Sequence, residues 1–341
     1  MQDTRSTLEH LLLGRDLSEE QAAALLESLT DPQMAAAVAG ALLAALRAKG
    51  VTAAEVRGFA GAMRRLARKP ELPAAPGAID IVGTGGDGSG SLNLSTGAAL
   101  LAAACGLPVV KHGNRSISSR SGSADLIERL GFVLPLDEAR AARCLAATGF
   151  TFLFAPYYHP AMKNLAAVRS ALGVRTVFNL LGPLTNPAAP GFALIGAFDA
   201  PTAQLMADTL AGMDVERAWV VHGAAGWDEA TPIGPFAAFD VRPRQVRRLE
   251  VDPRDFGMAP CAPADLAGAD AAANLTALLD VFEQRDRGPH LQALTLQSGI
   301  ALYIAGRAGS IGDGIDRARR VIDRGQARDW LKRLQRFAAT P

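Results

Sequence analysis

Asp80-Ile81-Val82-Gly83-Thr84-Gly85-Gly86-Asp87-Gly88, running on to Asn93-Leu94-Ser95-Thr96 and an Ala/Leu-rich tract, is the stretch on which the fold turns. A short apolar run delivers the chain into a glycine-rich turn, and the turn hands it to a helix. Glycines let such a turn take positive φ and bring main-chain amides close to an anion. A helix beginning around Ser95 adds free N–H groups and the positive end of its dipole. The motif is neither G-x-x-x-x-G-K-[ST] nor G-x-G-x-x-G, so it gives no support to an ATPase or a dinucleotide site. Alone, it is evenly balanced between an anion cradle and an ordinary tight turn. Its neighbours decide.

Downstream, Ile79–Val82, Pro108–Val110, Phe150–Phe154, Phe192–Phe198 and Ala218–Val221 read as buried strands with helical patterns between most of them. That alternation predicts a largely parallel sheet with crossover helices. Residues 236–251 read as strands without an intervening helix, and from Asp270 the pattern is helical to near the end. Upstream, Ser18-Glu19-Glu20-Gln21 and Thr52-Ala53-Ala54-Glu55 fit capping boxes, and Thr30-Asp31-Pro32 marks a further helix start before a segment closing near Gly50. A linker is expected over Lys69–Gly77, which holds three prolines and a glycine. The expected fold class is α/β. A small all-helical N-terminal domain (1–72) precedes a larger domain (78–341) with a mainly parallel central sheet.

Lys111-His112-Gly113-Asn114-Arg115-Ser116-Ile117-Ser118-Ser119 follows the strand Val109-Val110, with Gly122-Ser123-Ala124-Asp125 beyond it. Cations, an amide and hydroxyls collect where a parallel strand ends, the usual mouth of an α/β site. A polar loop capping a helix near Ser121 is the bland alternative, and it does not require so many phosphate-binding groups in nine residues.

The 35 Lys plus Arg against 34 Asp plus Glu give a net charge of +1, without the basic excess of a nucleic-acid binder. Arg242, Arg244, Arg247 and Arg248 are the only suggestive basic cluster, more simply a solvated hairpin. Cys105, Cys144 and Cys261 show no zinc spacing and read as small buried hydrophobes in a reducing compartment. Neither a signal-peptide h-region nor a membrane-length apolar run is present, so the expectation is a cytoplasmic protein with no membrane partner.

The ordered series Gly83–Asp87, Asn93–Thr96, Lys111–Arg115, Phe154-Ala155-Pro156, His159-Pro160-Ala161-Met162, Val168-Arg169, Leu172-Gly173 and Asn179-Leu180-Leu181-Gly182-Pro183-Leu184-Thr185-Asn186-Pro187 resembles the anthranilate phosphoribosyltransferases at each motif. The likeness is most specific over 79–187. It implies a fold similar to the nucleoside phosphorylases, with helices of about 160–188 joining the small domain, and a homodimer. The implied reaction moves phosphoribosyl from phosphoribosyl diphosphate to anthranilate in tryptophan biosynthesis.

By the same likeness Gly83, Gly86, Asp87, Ser91, Asn93, Leu94, Ser95 and Thr96 belong to the donor site. Lys111, His112, Gly113, Asn114, Arg115, Ser116, Ile117, Ser118, Ser119 and Ser123 would close around its phosphates and ribose. Anthranilate would meet Gly83, Asn114, Arg169, His112 and His159. Ser95, Asp228 and Glu229 would hold Mg²⁺, although an Asp-Glu pair in a Gly-rich loop, read alone, is mostly solvated decoration. Oxygen-only ligands suit that ion. No catalytic acid or base is implied, because the aniline amine of anthranilate is already neutral. His10, His222 and His290 are expected to be structural or exposed, and Trp227 to serve packing.

The C-terminal third departs from the family pattern at Leu296–Tyr303 and Ala272-Ala273-Asn274-Leu275. Both are expected to be packing changes far from the loops above. A pyrimidine-nucleoside phosphorylase-like enzyme would share the architecture without needing the acidic pair. A non-catalytic nucleic-acid-binding paralogue would need base-stacking aromatics among its arginines, and these are missing.

Overall fold

The structure, a computed structural model, describes residues 4–72, 77–116 and 121–340. Four helices come first: α1 (Thr4–Leu12), α2 (Glu19–Thr30), α3 (Ala36–Lys49) and α4 (Ala53–Leu66). Both expected capping boxes form, Ser18 with Gln21 and Thr52 with Glu55. The start expected at Thr30-Asp31-Pro32 is instead an ending. Thr30 closes α2, Asp31 is its C-cap, and Asp31 Oδ1 accepts the Gln33 amide at 2.8 Å. An aspartate that bonds the backbone two residues on favours a turn, so α3 waits until Ala36. The linker expected over 69–77 lies partly outside the described residues.

Strands and helices then alternate: β1 (Ile79–Gly83), α5 (Leu94–Ala104), β2 (Val109–Gly113), α6 (Ser123–Arg129), α7 (Glu138–Thr148), β3 (Phe150–Phe154), α8 (Ala155–Tyr158), α9 (Lys163–Leu172), α10 (Phe178–Leu181), β4 (Phe192–Gly196), α11 (Ala200–Ala211) and β5 (Arg217–His222). A hairpin follows, β6 (Phe236–Arg242) and β7 (Gln245–Val251), and then α12 (Ala271–Phe282), α13 (Pro289–Ile304), α14 (Ile311–Asp323) and α15 (Gln326–Ala339). One sheet takes all the strands in the order β3-β2-β1-β4-β5-β6-β7. β1 to β5 are parallel, whereas β6 and β7 are antiparallel, as a hairpin must be.

Alternate strand residues serve opposite faces of the sheet. Trp219 and Val221 join the apolar layer of α5 to α7 and α12 to α15, while Ala218 and Val220 join the layer of α1 to α4 and α9 to α11. Within the second layer Leu165 and Phe178 share a core with α2, α3 and α4. Asn164 Nδ2 donates to the Thr30 carbonyl at 2.9 Å, and Phe59 meets Phe178 edge-on at 6.1 Å.

Cys105 and Cys144 are buried free thiols, but Cys261 is only half-buried, packed against the core from an irregular segment between β7 and α12. Arg242 to Arg248 lie on the β6–β7 hairpin as expected, with Arg244 at its turn (φ 61°). They are not the only arginine cluster. α14 and α15 carry another, hidden in the sequence because its members come from two helices and face a common cavity.

Candidate active site

The chain leaves β1 on one side through β2 and β3, then returns to the other side of β1 at β4. A crevice opens at the carboxyl end of a strand where the order reverses in this way, and the glycine-rich turn stands there. Gly85 and Gly86 hold φ of 68° and 72°, which a side chain would resist. Asp228 folds back onto the turn from the segment after β5. Its Oδ2 accepts the Gly85 amide at 2.6 Å and the Thr84 hydroxyl at 3.4 Å, and its own amide donates to Asp87 Oδ2 at 3.2 Å. The approach is close enough that a Cβ on Gly83 would lie 2.5 Å from that Oδ2.

Glu229 reaches the next helix. Asn93, at the N-cap of α5, makes no side-chain cap bond there, and Glu229 Oε1 accepts the Ser95 amide at 3.2 Å instead. Asp228 and Glu229 are 7% and 9% exposed. Burial raises both carboxyls, and negative neighbours raise them further: Asp87 beside Asp228, and Asp228 beside Glu229. Two buried acids that carry charge only at a cost are a place for a cation. Among the described residues no three His, Cys, Asp or Glu side chains form a metal-holding cluster by themselves. The acidic pair by itself suits Mg²⁺, which takes one or two carboxylates and completes its shell with water and substrate phosphate.

Lys111 lies beneath, 1% exposed, and donates to the Ile81 carbonyl. Burial lowers its pKa while Asp80 and Glu229 favour its charge. Asp80, pushed by burial to about 6 against the pull of Lys111, also takes Asn186 Nδ2 at 2.8 Å. Sequence reading quoted Asp80 only as the start of the strand and gave it no site role. Asn186 was visible only as the end of a motif.

The second loop is arranged differently from the expectation of charges aimed at phosphate. Arg115 forks onto Glu128 at 2.5 and 2.6 Å and reaches Asp125 at 3.2 Å. The Asn114 carbonyl accepts the Ser123 hydroxyl at 3.2 Å, and Ser116 offers its amide to Asp125 at 3.4 Å. A Cβ on Gly113 would strike Ser123 Oγ at 2.3 Å. Ile117, Ser118 and Ser119 lie outside the described residues. The side chains of Leu94 and Thr96 are buried, while Ser91 pairs with Ala267 in an isolated bridge.

Asn93 ties three segments together. Its Nδ2 donates to the Ser121 carbonyl at 3.1 Å, and its Oδ1 accepts Asn274 Nδ2 at 2.9 Å and the Ser121 hydroxyl at 3.1 Å. The expectation that 272–275 and 296–303 sit far from the loops is therefore wrong. Asn274 touches the phosphate loop, and Gln297 Nε2 donates to the carbonyl of Ala230, next to Glu229, at 3.2 Å. Packing of α12 and α13 under the sheet brings them there, a distance that linear spacing hides.

On the helical side, Arg169 stacks on Phe178 at 5.2 Å and meets no carboxylate among the described residues. Arg175, also missed, donates to the Gly86 carbonyl and lies 3.9 Å over the Phe198 ring. Only its place two residues beyond Leu172-Gly173 could have singled it out. His112 and His159 are buried with their rings 5.1 Å apart, and His112 Nδ1 contacts the Gly182 carbonyl at 3.2 Å. Burial takes their pKa values down to about 3 and about 4. His10, His222 and His290 make local contacts with Asp16, Ala197 and Asp286, and Trp227 packs in the core at 5% exposure.

Residues 75–328 match the glycosyl transferase family α/β domain, and residues 5–67 match its helical bundle domain. The chain is 45% identical over 334 residues to the anthranilate phosphoribosyltransferase of Desulforudis audaxviator, covering 98% of this chain and 96% of that one. It is 44% identical over 334 residues to that of Methylobacterium nodulans, covering 98% of each. It superposes on the solved anthranilate phosphoribosyltransferase of Thermus thermophilus with a TM-score of 0.91 at 38% identity, covering 98% and 99%. The Saccharomyces cerevisiae enzyme in complex with PRPP and Mg gives 0.88 at 26% identity, covering 98% of each chain. With both domain models matched and the relatives aligned end to end, the chain belongs to the anthranilate phosphoribosyltransferase family.

Proposed function

We propose that the chain transfers the phosphoribosyl group of 5-phospho-α-D-ribose 1-diphosphate to the amine of anthranilate, giving N-(5-phosphoribosyl)anthranilate and pyrophosphate in tryptophan biosynthesis. The observation that carries this reading is the closure of Asp228 and Glu229 onto the Gly83–Asp87 turn and the first turn of α5. Amides, two acids and a buried ammonium then face one place. The yeast relatives support it, one in complex with PRPP and Mg and another with 4-fluoroanthranilate.

Ser95, Asp228 and Glu229 are the residues that would hold Mg²⁺, whose charge, when bound, stabilises a leaving diphosphate. The amides of Gly85 and Gly86 and the start of α5 would position the phosphates, and Lys111 would keep the floor positive. Arg169, stacked on Phe178 and meeting no carboxylate among the described residues, would offer a cationic fork to the carboxylate of the acceptor. His112 and His159, their pKa values lowered by burial, would line the site as uncharged rings at physiological pH. No base is needed for an aniline nitrogen, so catalysis rests on alignment and electrostatics.

The same reading makes residues 1–72 and the helices of about 160–188 one small domain, set against a larger domain over 78–341. It pairs two chains through the helical side, where Leu12 and Leu13 are 68% and 66% exposed. It places the enzyme in the cytoplasm; no helix of the described residues is long and apolar enough to cross a membrane. The test is loss of anthranilate fluorescence on mixing folded protein with donor and Mg²⁺. No loss at saturating substrate refutes the proposal. Metal-independent phosphorolysis of a pyrimidine nucleoside would favour a phosphorylase, and salt-sensitive retention of DNA a nucleic-acid binder.

A further inference from the structure

Several surface arginines of this chain sit on carboxylates, as Arg57 does on Glu19, Arg65 on Glu27 and Arg287 on Asp323. At the far end of α5 that pairing breaks down. A cavity of about 710 Å³ opens between Cys105-Gly106 and the helices α14 and α15, and Arg317, Arg320, Arg324, Arg333 and Arg336 stand in its wall. Asp329 is the one acid there, and it is engaged by Arg328 at 3.2 Å. Arg320, Arg324 and Arg333 meet no carboxylate among the described residues. Arg317 is fixed instead by the carbonyls of Cys105 and Arg307.

Like charges gathered around one hollow repel one another and weaken the compact state, and a bound anion removes that penalty. The volume lies within the range of small-ligand sites. Guanidinium forks match phosphate oxygens in pairs. No aromatic face of the wall is open to stack a flat base: Trp330 is 4% exposed, and its indole N–H is already given to the Thr148 carbonyl at 2.8 Å. Selection here is for phosphate charge. The donor loop stands at the opposite end of α5, roughly 16 Å away for a helix of eleven residues.

We propose that this cavity binds a small polyphosphate anion, a ligand with several phosphoryl groups in a row, independently of the donor site. The probe is sodium tripolyphosphate, titrated calorimetrically into the full chain with EDTA present to silence metal-assisted binding at the donor loop. The expected result is saturable binding near one equivalent. The double variant Arg320→Gln/Arg333→Gln should weaken it about tenfold or more, by the loss of two charge-assisted contacts, while kcat and KM for phosphoribosyl transfer stay unchanged. ATP should bind no more tightly than tripolyphosphate. An unchanged isotherm in the double variant overturns the proposal, as does equal competition by sulfate at matched ionic strength or a clear preference for ATP. Should the double variant fail to melt cooperatively, Arg324→Gln gives the same reading alone: weakened binding supports the site and unchanged binding refutes it.

Discussion

Asp228 and Gly83 share a space that admits only one of their side chains: the carboxylate Oδ2 lies 2.5 Å from where a Cβ on Gly83 would be. The same oxygen fixes the Gly85 amide, so pushing Asp228 aside moves the turn as well. Gly83→Ala should fold and lose about 100-fold in kcat/KM, the scale of an ångström of misplacement at a reacting centre. Steady-state kinetics beside a melting curve checks it. Wild-type activity would show that the contact does not position the turn. Gly196→Ala is the sterner case, because its Cβ would meet the Asp228 backbone carbonyl at 1.5 Å. That variant should lose stability as well, by about 1–3 kcal/mol or more.

Arg175 links the helical side to the phosphate turn through Gly86 and Phe198. Arg175→Ala should raise KM for the donor by on the order of tenfold, about the worth of one charge-assisted bond. Its melting temperature should hardly change. Lysine should not rescue, since it lacks the plane that stacks on Phe198. A donor KM indistinguishable from wild type would remove Arg175 from the machinery.

Protons and Mg²⁺ compete for Asp228 and Glu229. Burial and mutual repulsion raise both carboxyls, and a metal must displace their protons. The Mg²⁺ concentration giving half-maximal rate should therefore fall as pH rises from the acid to the alkaline side of neutrality. A metal requirement flat with pH contradicts this. Glu229→Gln should weaken the dependence along with the rate.

His112 and His159 should be visible in the acid stability of the chain. Their folded values of about 3 and about 4 lie below the ordinary 6.5. As pH falls below 6.5 the unfolded chain takes up protons that the folded chain refuses. The stability these rings contribute is complete above 6.5 and is lost on the way down through about 4 and about 3. Urea midpoints at neutral and mildly acid pH measure the drop, and His159→Asn should shrink it. An equal drop in that variant would place its origin elsewhere.

Much of this was legible along the chain. The turn at Gly83–Asp87, the strands either side of it and both capping boxes depend on local chemistry, which neighbouring residues announce. Asp31 misled because the same side chain can start a helix or end one, and only the geometry around Thr30 and Gln33 chooses. Asn274 and Gln297 could not be read as neighbours of the loops, since 181 and 67 residues separate them from Asn93 and Ala230 and only helix packing closes the gap. The pairing of Arg115 with Glu128 was likewise invisible, because a basic residue in a polar loop looks equally ready for a phosphate or a neighbour. The arginines of α14 and α15 were hidden for the same reason: proximity came from two helices, not from one run.

The bond from Ser95 to Glu229 has a bearing on how the protein lives between turnovers. An acid that closes off the start of a helix already has employment when no ion is near, so the architecture need not wait for one. Chelators should silence such an enzyme without unravelling it, and the cation can come and go with each molecule of substrate instead of being built in at synthesis.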